Sequence, residues 1–290
     1  MVVEEKAYAK INLFLDVLGK RKDGYHDIRS VMHAVDLFDE VILDFSSADY
    51  ACVTLKVEGE ESLGDPMQNL AYLAAERFMD KTDFTAAVMI TLKKKIPAGA
   101  GLGGGSSDAA AVLRAMNLAA GKPLSLDALL ELGAELGSDV PFCILGGTRL
   151  CTGRGEKMQD FPLDTSGLSF VIAKPKKQSV ATPAAYRALD AAFGDFKDDN
   201  WEYHNALFSF FSEEPLSSLY NIFESTVLPE CIEAAELRTK LIAGGAVGSV
   251  MSGSGTAVFG IFDDAEKAEE AAKSIKGAFL CASAPALTSL

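Results

Sequence analysis

The chain has 290 residues, of which 49% are hydrophobic and 23% charged, as in folded globular proteins of one large or two ordinary domains. Its 27 basic and 41 acidic side chains give a formal net charge of −14, which disfavours broad binding of nucleic acid phosphates. The five cysteines show no paired spacing, the N-terminus has no signal peptide, and no apolar run reaches membrane-spanning length. We therefore expect a cytoplasmic protein that binds neither nucleic acid nor membranes, with any anionic ligand held in a local pocket.

Strands are expected to dominate the first third of the chain. Alternating polar and apolar residues predict a strand over residues 6–18, which places Lys10 and Asn12 on one face. Further strands are predicted over residues 28–35, 40–45, 50–58 and 87–92, with an amphipathic helix over residues 69–80.

Helices are expected to be more frequent in the remainder. Helices are predicted from the glycine-rich turn to about residue 119 and over residues 124–136, 183–193, 205–228, 230–243 and 265–276. A β-hairpin region is predicted over residues 144–155, and strands over 168–173, 256–262 and 278–284. Pro141 is predicted to keep Val140 extended and outside the preceding helix. This order predicts an α+β protein, with domains at residues 1–155 and 156–290.

A glycine-rich turn stands out at residues 96–107, where five glycines fall between Gly99 and Gly105. Glycine permits positive φ and a close approach of the backbone to a ligand, and a helix N-terminus attracts phosphate. Ser106 or Ser107 is predicted to cap the following helix, with Asp108 in its first turn. The turn therefore predicts an anion site, with a purely structural helix-capping turn as the alternative.

Two better-known phosphate motifs fail at this turn. Gly99, Gly101 and Gly104 match the dinucleotide-binding spacing, but a second helix follows where that motif requires a strand ending in an acidic residue. The Walker A motif requires a lysine where Gly105 stands.

Three stretches together resemble the GHMP kinases, the family of galactokinase, homoserine kinase and mevalonate kinase. They are PAGAGLGGGSS at residues 97–107, KINL at 10–13 and MSGSG at 251–255. AKINLFL at 9–15, DGYH at 23–26, GSDVPF at 137–142 and GRGE at 153–156 resemble the members that phosphorylate a cytidine-diphosphate-linked sugar alcohol. The resemblance covers about residues 5 to 262. It implies a two-domain GHMP kinase fold with the active site in the inter-domain cleft, and ATP and Mg²⁺ as cofactors.

The same resemblance implies a site for the nucleotide. Its residues would be Asn69, Lys94, Pro97, Ala98, Gly99, Ala100, Gly101, Leu102, Gly103, Gly104, Gly105, Ser106 and Ser107. Which of Lys93, Lys94 and Lys95 contacts ATP stays open, since each is equally consistent with a solvated strand end. The ligands of Mg²⁺ also stay open.

The catalytic residues implied by the resemblance are Lys10 and Asp139. An alcohol is a weak acid, so a carboxylate such as Asp139 is needed to accept or orient its proton, and a cation such as Lys10 assists. The alternatives are a turn cap for Asp139 and a solvated strand residue for Lys10.

The substrate-binding residues implied by the resemblance are Asn12, Tyr25, His26, Thr182 and Tyr186. The two tyrosines would stack on the cytosine and His26 would read its edge; an insertion near residue 180 leaves Thr182 and Tyr186 uncertain by one position. We expect a small-molecule, cytidine-diphosphate-linked substrate and a monomer or homodimer. The alternatives are another GHMP kinase or a non-catalytic nucleotide-binding protein on the same fold.

Overall fold

The computed structural model describes residues 1–59, 65–176, 178–194, 216 and 218–287. The strands are β1 (Val2–Lys20), β2 (His26–Ser46), β3 (Cys52–Glu58), β4 (Ala87–Lys93), β5 (Thr148–Gly153), β6 (Lys157–Asp160), β7 (Ser169–Ala173), β8 (Tyr220–Asn221), β9 (Gly248–Met251), β10 (Val258–Phe262) and β11 (Phe279–Cys281). The α-helices are α1 (Leu70–Thr82), α2 (Gly104–Ala119), α3 (Leu126–Leu136), α4 (Val140–Leu145), α5 (Thr182–Phe193), α6 (Glu224–Val227), α7 (Ile232–Ala243) and α8 (Ala265–Ser274).

The first sheet is built on the long antiparallel pair β1 and β2. Its strand order is β3-β4-β2-β1-β8, and β5 adds to β2 and carries β6. The sequence predicts two strands here, over residues 28–35 and 40–45. The structure corrects this to one strand, because the pairing with β1 shifts register where Tyr8 faces Phe38 and Ala9 faces Val35. A bulge absorbs the irregular residues without ending the strand.

Helix α2 is the buried centre of the N-terminal half. Every residue from Ser107 to Asn117 is buried, and the helix packs on α1, α4 and β1. A helix that is buried on all sides must be apolar around its circumference, which the alanine-rich sequence after residue 108 supplies. This packing fixes the N-terminus of α2 beside the middle of β1.

A second, four-stranded sheet has the order β11-β7-β10-β9, with every pair antiparallel. The chain does not stay in this sheet after β7. It returns to the first sheet at β8, whose Tyr220 and Asn221 pair in parallel with Phe14 and Leu15 of β1. The second half of the chain thereby contributes a strand to the first sheet.

Other sequence predictions also need correction. The helix predicted over residues 205–228 falls partly outside the described residues, and within residues 218–228 only α6 is α-helical. Pro141 does not keep Val140 extended, since α4 begins at Val140 with the proline in its first turn. A first-turn residue has no intrahelical partner for its N–H, so proline is tolerated there.

The hairpin predicted over residues 144–155 lies later, as β5 and β6. None of the helices in the described part of the chain is long and apolar enough to cross a membrane.

Candidate active site

A cleft of about 830 Å³ is lined by β1, the β1–β2 hairpin, the start of α2, α5 and the turn after β9. It brings together residues that are far apart in sequence and that we predicted from separate motifs. The predicted residues that line it are Lys10, Asn12, Tyr25, His26, Asn69, Lys94, Pro97, Ala98, Gly99, Ala100, Gly101, Leu102, Gly103, Gly104, Gly105, Ser106, Asp139, Thr182 and Tyr186. Ser107 is the one predicted site residue that does not line it.

The glycine loop, residues 97–106, forms one wall of the cleft. Gly101 shows why glycine is needed: its φ is +78°, and a Cβ there would stand 2.1 Å from the carbonyl oxygen of Ser252. The loop is therefore packed directly against the turn after β9. A side chain at Gly101 would push these two segments apart.

The start of α2 differs from the sequence prediction. The N-cap is Gly103 in the left-handed conformation, with no capping side chain, and no acidic residue lies in the first turn. The predicted cap at Ser106 or Ser107 and the first-turn position of Asp108 are therefore wrong, because the helix begins earlier than expected. The first N–H groups of α2 have no side-chain acceptor, as an anion-binding helix terminus requires.

The neighbouring side chains of Ser106 and Ser107 face opposite ways. The Ser107 hydroxyl is buried and donates to the carbonyl oxygen of Tyr8 at 2.6 Å, which ties α2 to β1. Ser106 lines the cleft. The hydroxyl available to a bound ligand is that of Ser106.

Lys94 lies beneath the start of α2 in a buried ionic cluster. Its ammonium pairs with Asp39 and, at 2.5 Å, with Oδ2 of Asp108. Burial raises the pKa of Asp108 to about 7, although the neighbouring Lys94 opposes this effect. Oδ1 of Asp108 is a buried atom without a hydrogen-bond partner in the structure.

The other two lysines of the run lie at the surface. Lys93 and Lys95 both form ion pairs with Glu40. Lys94 is the member of the run that lines the cleft. Asn69 caps α1, where its Oδ1 accepts from the N–H of Ala71 at 2.9 Å.

Lys10 and Asp139 form an ion pair in the cleft. The Lys10 side chain is 4% exposed and its Nζ lies 3.5 Å from Oδ2 of Asp139. Asp139 occupies the N-cap position of α4, but its carboxylate makes no capping hydrogen bond and is 31% exposed. The geometry therefore does not support the alternative in which Asp139 serves as a turn cap.

The glycine loop also positions Lys10. The Lys10 N–H donates to the carbonyl oxygen of Leu102 at 2.9 Å, and a Cβ at Gly103 would stand 2.9 Å from Lys10 Cγ. The lysine stem thus crosses the loop at a position where only glycine leaves room. A cation, a carboxylate and a helix N-terminus meet at one point of the cleft.

Aromatic residues surround the other end of the cleft. Tyr25 is 52% exposed, and the guanidinium of Arg154 lies 4.8 Å from its ring centroid. The rings of Tyr186 and His26 stack, with their centroids 4.6 Å apart. Both tyrosines lie at the cleft, but one face of Tyr186 is already covered by His26.

An acidic residue that we did not predict holds this end together. Oδ1 of Asp190 lies 2.7 Å from Nε2 of His26, and its Oδ2 accepts from Lys20 at 2.8 Å. The hydrogen bond from Lys20, with a further contribution from His26, lowers the pKa of Asp190. Arg154 is another cleft residue that we missed, although it belongs to the GRGE stretch that carried the resemblance.

The MSGSG motif of residues 251–255 is linked to the rest of the site through a side chain. The hydroxyls of Thr182 and Ser254 lie 2.9 Å apart, which joins the start of α5 to the turn after β9. In the described residues, no group of three or more histidine, cysteine, aspartate or glutamate side chains is arranged to hold a metal.

Comparisons with known proteins identify the family of the chain. Residues 69–147 match the GHMP kinases N terminal domain and residues 212–280 the GHMP kinases C terminal domain. The 4-diphosphocytidyl-2-C-methyl-D-erythritol kinase of Caldicellulosiruptor saccharolyticus is 40% identical over 93% of this chain and 92% of its own. The enzyme of the same name from Pelotomaculum thermopropionicum is 41% identical over 94% and 93%.

Solved structures extend the similarity. A crystal structure of 4-(cytidine 5'-diphospho)-2C-methyl-D-erythritol kinase superposes with a TM-score of 0.78 at 31% identity, covering 98% of this chain and 100% of that one. Homoserine kinase from Cytophaga hutchinsonii superposes with a TM-score of 0.73 at 20% identity, covering 99% and 95%, which shows a shared fold.

Proposed function

The chain belongs to the GHMP kinases, and among them to the 4-diphosphocytidyl-2-C-methyl-D-erythritol kinases, and from this membership we propose how its cleft performs the reaction. It is a kinase that transfers a phosphoryl group from ATP to the 2-hydroxyl of 4-diphosphocytidyl-2-C-methyl-D-erythritol. The observation that carries the assignment of residues is the facing pair of Lys10 and Asp139 beside the glycine loop.

The glycine loop binds the triphosphate of ATP. Its backbone N–H groups and the uncapped N-terminus of α2 provide positive partial charge without any side chain, which suits a protein of net charge −14. Asn69 and Lys94 line the same wall, which supports a role for both in nucleotide binding. Phosphoryl transfer depends mainly on positioning and charge neutralisation, so this wall supplies much of the catalysis.

Asp139 accepts the proton of the acceptor hydroxyl as the new P–O bond forms. Its carboxylate is open to the cleft and makes no cap hydrogen bond that would compete for this role. Lys10 neutralises the negative charge that develops between the acceptor oxygen and the transferred phosphoryl group. The contact of the Lys10 stem with Gly103 supports a position for its ammonium between the two substrates.

Mg²⁺ is expected with ATP, and two oxygen atoms near the glycine loop fit a magnesium ion. They are the hydroxyl of Ser106 in the cleft wall and Oδ1 of Asp108, which has no hydrogen-bond partner in the structure. Mg²⁺ is commonly bound by one or two protein oxygens together with substrate phosphates and water. When bound, the ion would neutralise charge on the phosphates.

The aromatic end of the cleft recognises the cytidine diphosphate. Tyr25 offers a ring face for stacking, and His26 and Tyr186 form the adjoining wall. Arg154 supplies a cation for the diphosphate. Thr182 and Asn12 line the same cleft.

A coupled assay of ADP release tests the proposed function. We expect turnover with ATP and 4-diphosphocytidyl-2-C-methyl-D-erythritol, and none with homoserine or mevalonate under the same conditions. Turnover with homoserine or mevalonate, together with none for the cytidine-linked substrate, would overturn the assignment.

Domain limits, oligomeric state and location form part of the same proposal. We place the domains at residues 1–155 and 156–290, although β6 continues the first sheet as far as Asp160. A monomer or homodimer that binds neither nucleic acid nor membranes is expected, in the cytoplasm. Its five free cysteines are consistent with a reducing compartment.

A further inference from the structure

Both the oxygen and the nitrogen of the Asn12 side-chain amide form hydrogen bonds inside the protein. Its Oδ1 accepts from Lys10 Nζ at 2.8 Å and from the N–H of Gly253 at 2.9 Å. Its Nδ2 donates to the hydroxyl of Ser30 at 2.8 Å, and that hydroxyl donates to the carbonyl oxygen of Phe14 at 2.8 Å. Asn12 is 1% exposed and Ser30 fully buried.

This network permits one orientation of the amide. An ammonium and a backbone N–H can only donate, so the Asn12 atom that faces Lys10 and Gly253 must be the carbonyl oxygen. Ser30 gives its own proton to Phe14, so its oxygen is left to accept from Nδ2. A flipped amide would place its NH₂ group against two donors.

From this network we propose that Asn12 and Ser30 are a positioning pair that holds the Lys10 ammonium at the reacting atoms. Asn12 therefore acts through Lys10 instead of contacting the substrate. The proposal relies on the proposed function only in taking Lys10 as the catalytic cation. The proposal also gives the MSGSG motif a role, since Gly253, in the turn after β9, supplies the N–H that fixes Asn12.

The need for such a pair follows from the position of Asp139. Of the three N–H groups of the Lys10 ammonium, one is taken by Asn12, and Asp139 lies 3.5 Å away. The ammonium thus already forms an ion pair with Asp139, and its shorter hydrogen bond to Asn12 fixes where it stands beside the carboxylate that must receive the substrate proton.

Ser30 offers the sharper test because it is fully buried and does not line the cleft. We expect Ser30→Ala to lower kcat about 10-fold, and Asn12→Ala about 100-fold, since small misplacements of a catalytic group have effects of this order. KM for ATP and for the cytidine-linked substrate should change less than about two-fold in both variants.

Ser249→Ala is the matched control. Ser249 is a buried serine whose hydroxyl donates to the carbonyl oxygen of Phe259 at 2.8 Å, away from Lys10. We expect it to lower Tm comparably with Ser30→Ala while leaving kcat unchanged. Ser30→Thr keeps the hydroxyl and should recover most of the kcat that Ser30→Ala loses.

Two results would overturn the proposal. One is an Asn12→Ala variant with a raised KM for the cytidine-linked substrate and a normal kcat, as expected of a direct substrate contact. The other is a Ser30→Ala variant with the kcat of the Ser249→Ala control. Absence of turnover in the wild-type chain would count against the proposed function instead, so the two failures are distinguishable.

Discussion

At the scale of single residues, Lys10 and Asp139 form an ion pair to whose two members we assign different tasks. We expect Asp139→Asn to lower kcat by about 10² to 10⁴, the usual contribution of general acid–base catalysis, because an amide cannot accept the hydroxyl proton. ATP affinity, measured by calorimetry with a non-hydrolysable analogue, should be unchanged. Asp127→Asn, on the exposed side of α3, is the control. Weaker ATP binding with persisting turnover would contradict the assignment.

Tyr25 should act on affinity for the acceptor. Base–aromatic stacking contributes about 1 to 3 kcal/mol, so Tyr25→Ala should raise KM for the cytidine-linked substrate about 5- to 150-fold. Steady-state kinetics should find KM for ATP unchanged, and Tyr25→Phe should keep most of the affinity because it keeps the ring. An unchanged KM in Tyr25→Ala would remove this residue from the base site.

Local motifs pointed to the cleft residues to which we assign the chemistry, but not to the residues that support them. Lys10 and Asp139 could be found because each lies in a short pattern typical of the family. Asp190 could not, because its contact with His26 spans 164 positions and only the fold brings the two together. The direction in which the Ser107 side chain points was also unpredictable, since it depends on which residue starts α2.

At the scale of elements, the close packing of the glycine loop on the turn after β9 leads to a prediction about Gly101. Gly101→Ala would place a methyl group 2.1 Å from a backbone oxygen, which cannot move aside without displacing its segment. We expect a loss of stability of about 1 to 3 kcal/mol or more and weaker ATP binding, measured by urea unfolding and calorimetry.

Gly99→Ala is the comparison for this prediction. Gly99 also has a positive φ, of +60°, but a Cβ there would meet nothing within 4 Å. It should therefore show the cost of backbone strain alone. If the two variants lost equal stability and equal ATP affinity, contact with Ser252 would not be what constrains Gly101.

The predicted elements agreed with the structure where the hydrophobic period was regular. β4 and α1 are such cases, and the α+β fold itself is confirmed by the family comparisons. Predictions were wrong where pairing outweighed local pattern, as in the bulge that keeps β2 continuous. A two-residue strand such as β8 has no sequence period at all, so its pairing with β1 was invisible before the fold was known.

At the scale of the whole molecule, a buried histidine makes stability depend on pH. His33 is 1% exposed and its ring nitrogens contact Thr148 and Ser283, so it joins β2, β5 and the segment after β11. Burial lowers its pKa to about 4. Below about pH 6.5 the His33 ring takes up a proton in the unfolded chain but not in the folded chain. The free energy of unfolding therefore decreases as the pH is lowered from about 6.5 to 4.

Titration of His33 changes the free energy of unfolding by up to about 1.4 kcal/mol per pH unit in that window, and by about 3 kcal/mol in all. Urea unfolding at several pH values should give a shallower dependence for His33→Gln than for the wild type, because the variant cannot titrate there. Equal slopes for the two proteins would show that His33 is not the group responsible.

The contacts of the segment after β11 affect how the chain folds while it is being synthesised. Ser283 bridges to Val35, and its hydroxyl lies 3.1 Å from His33, 250 positions earlier in the chain. Strand β8 likewise reaches β1 only after residue 220 has been synthesised. During translation, the edge of β1 at Phe14 and Leu15 therefore stays unpaired until β8 has been made, and an unpaired strand edge is prone to aggregation. We expect the nascent chain to depend on chaperones for longer than its early, locally paired hairpin would suggest.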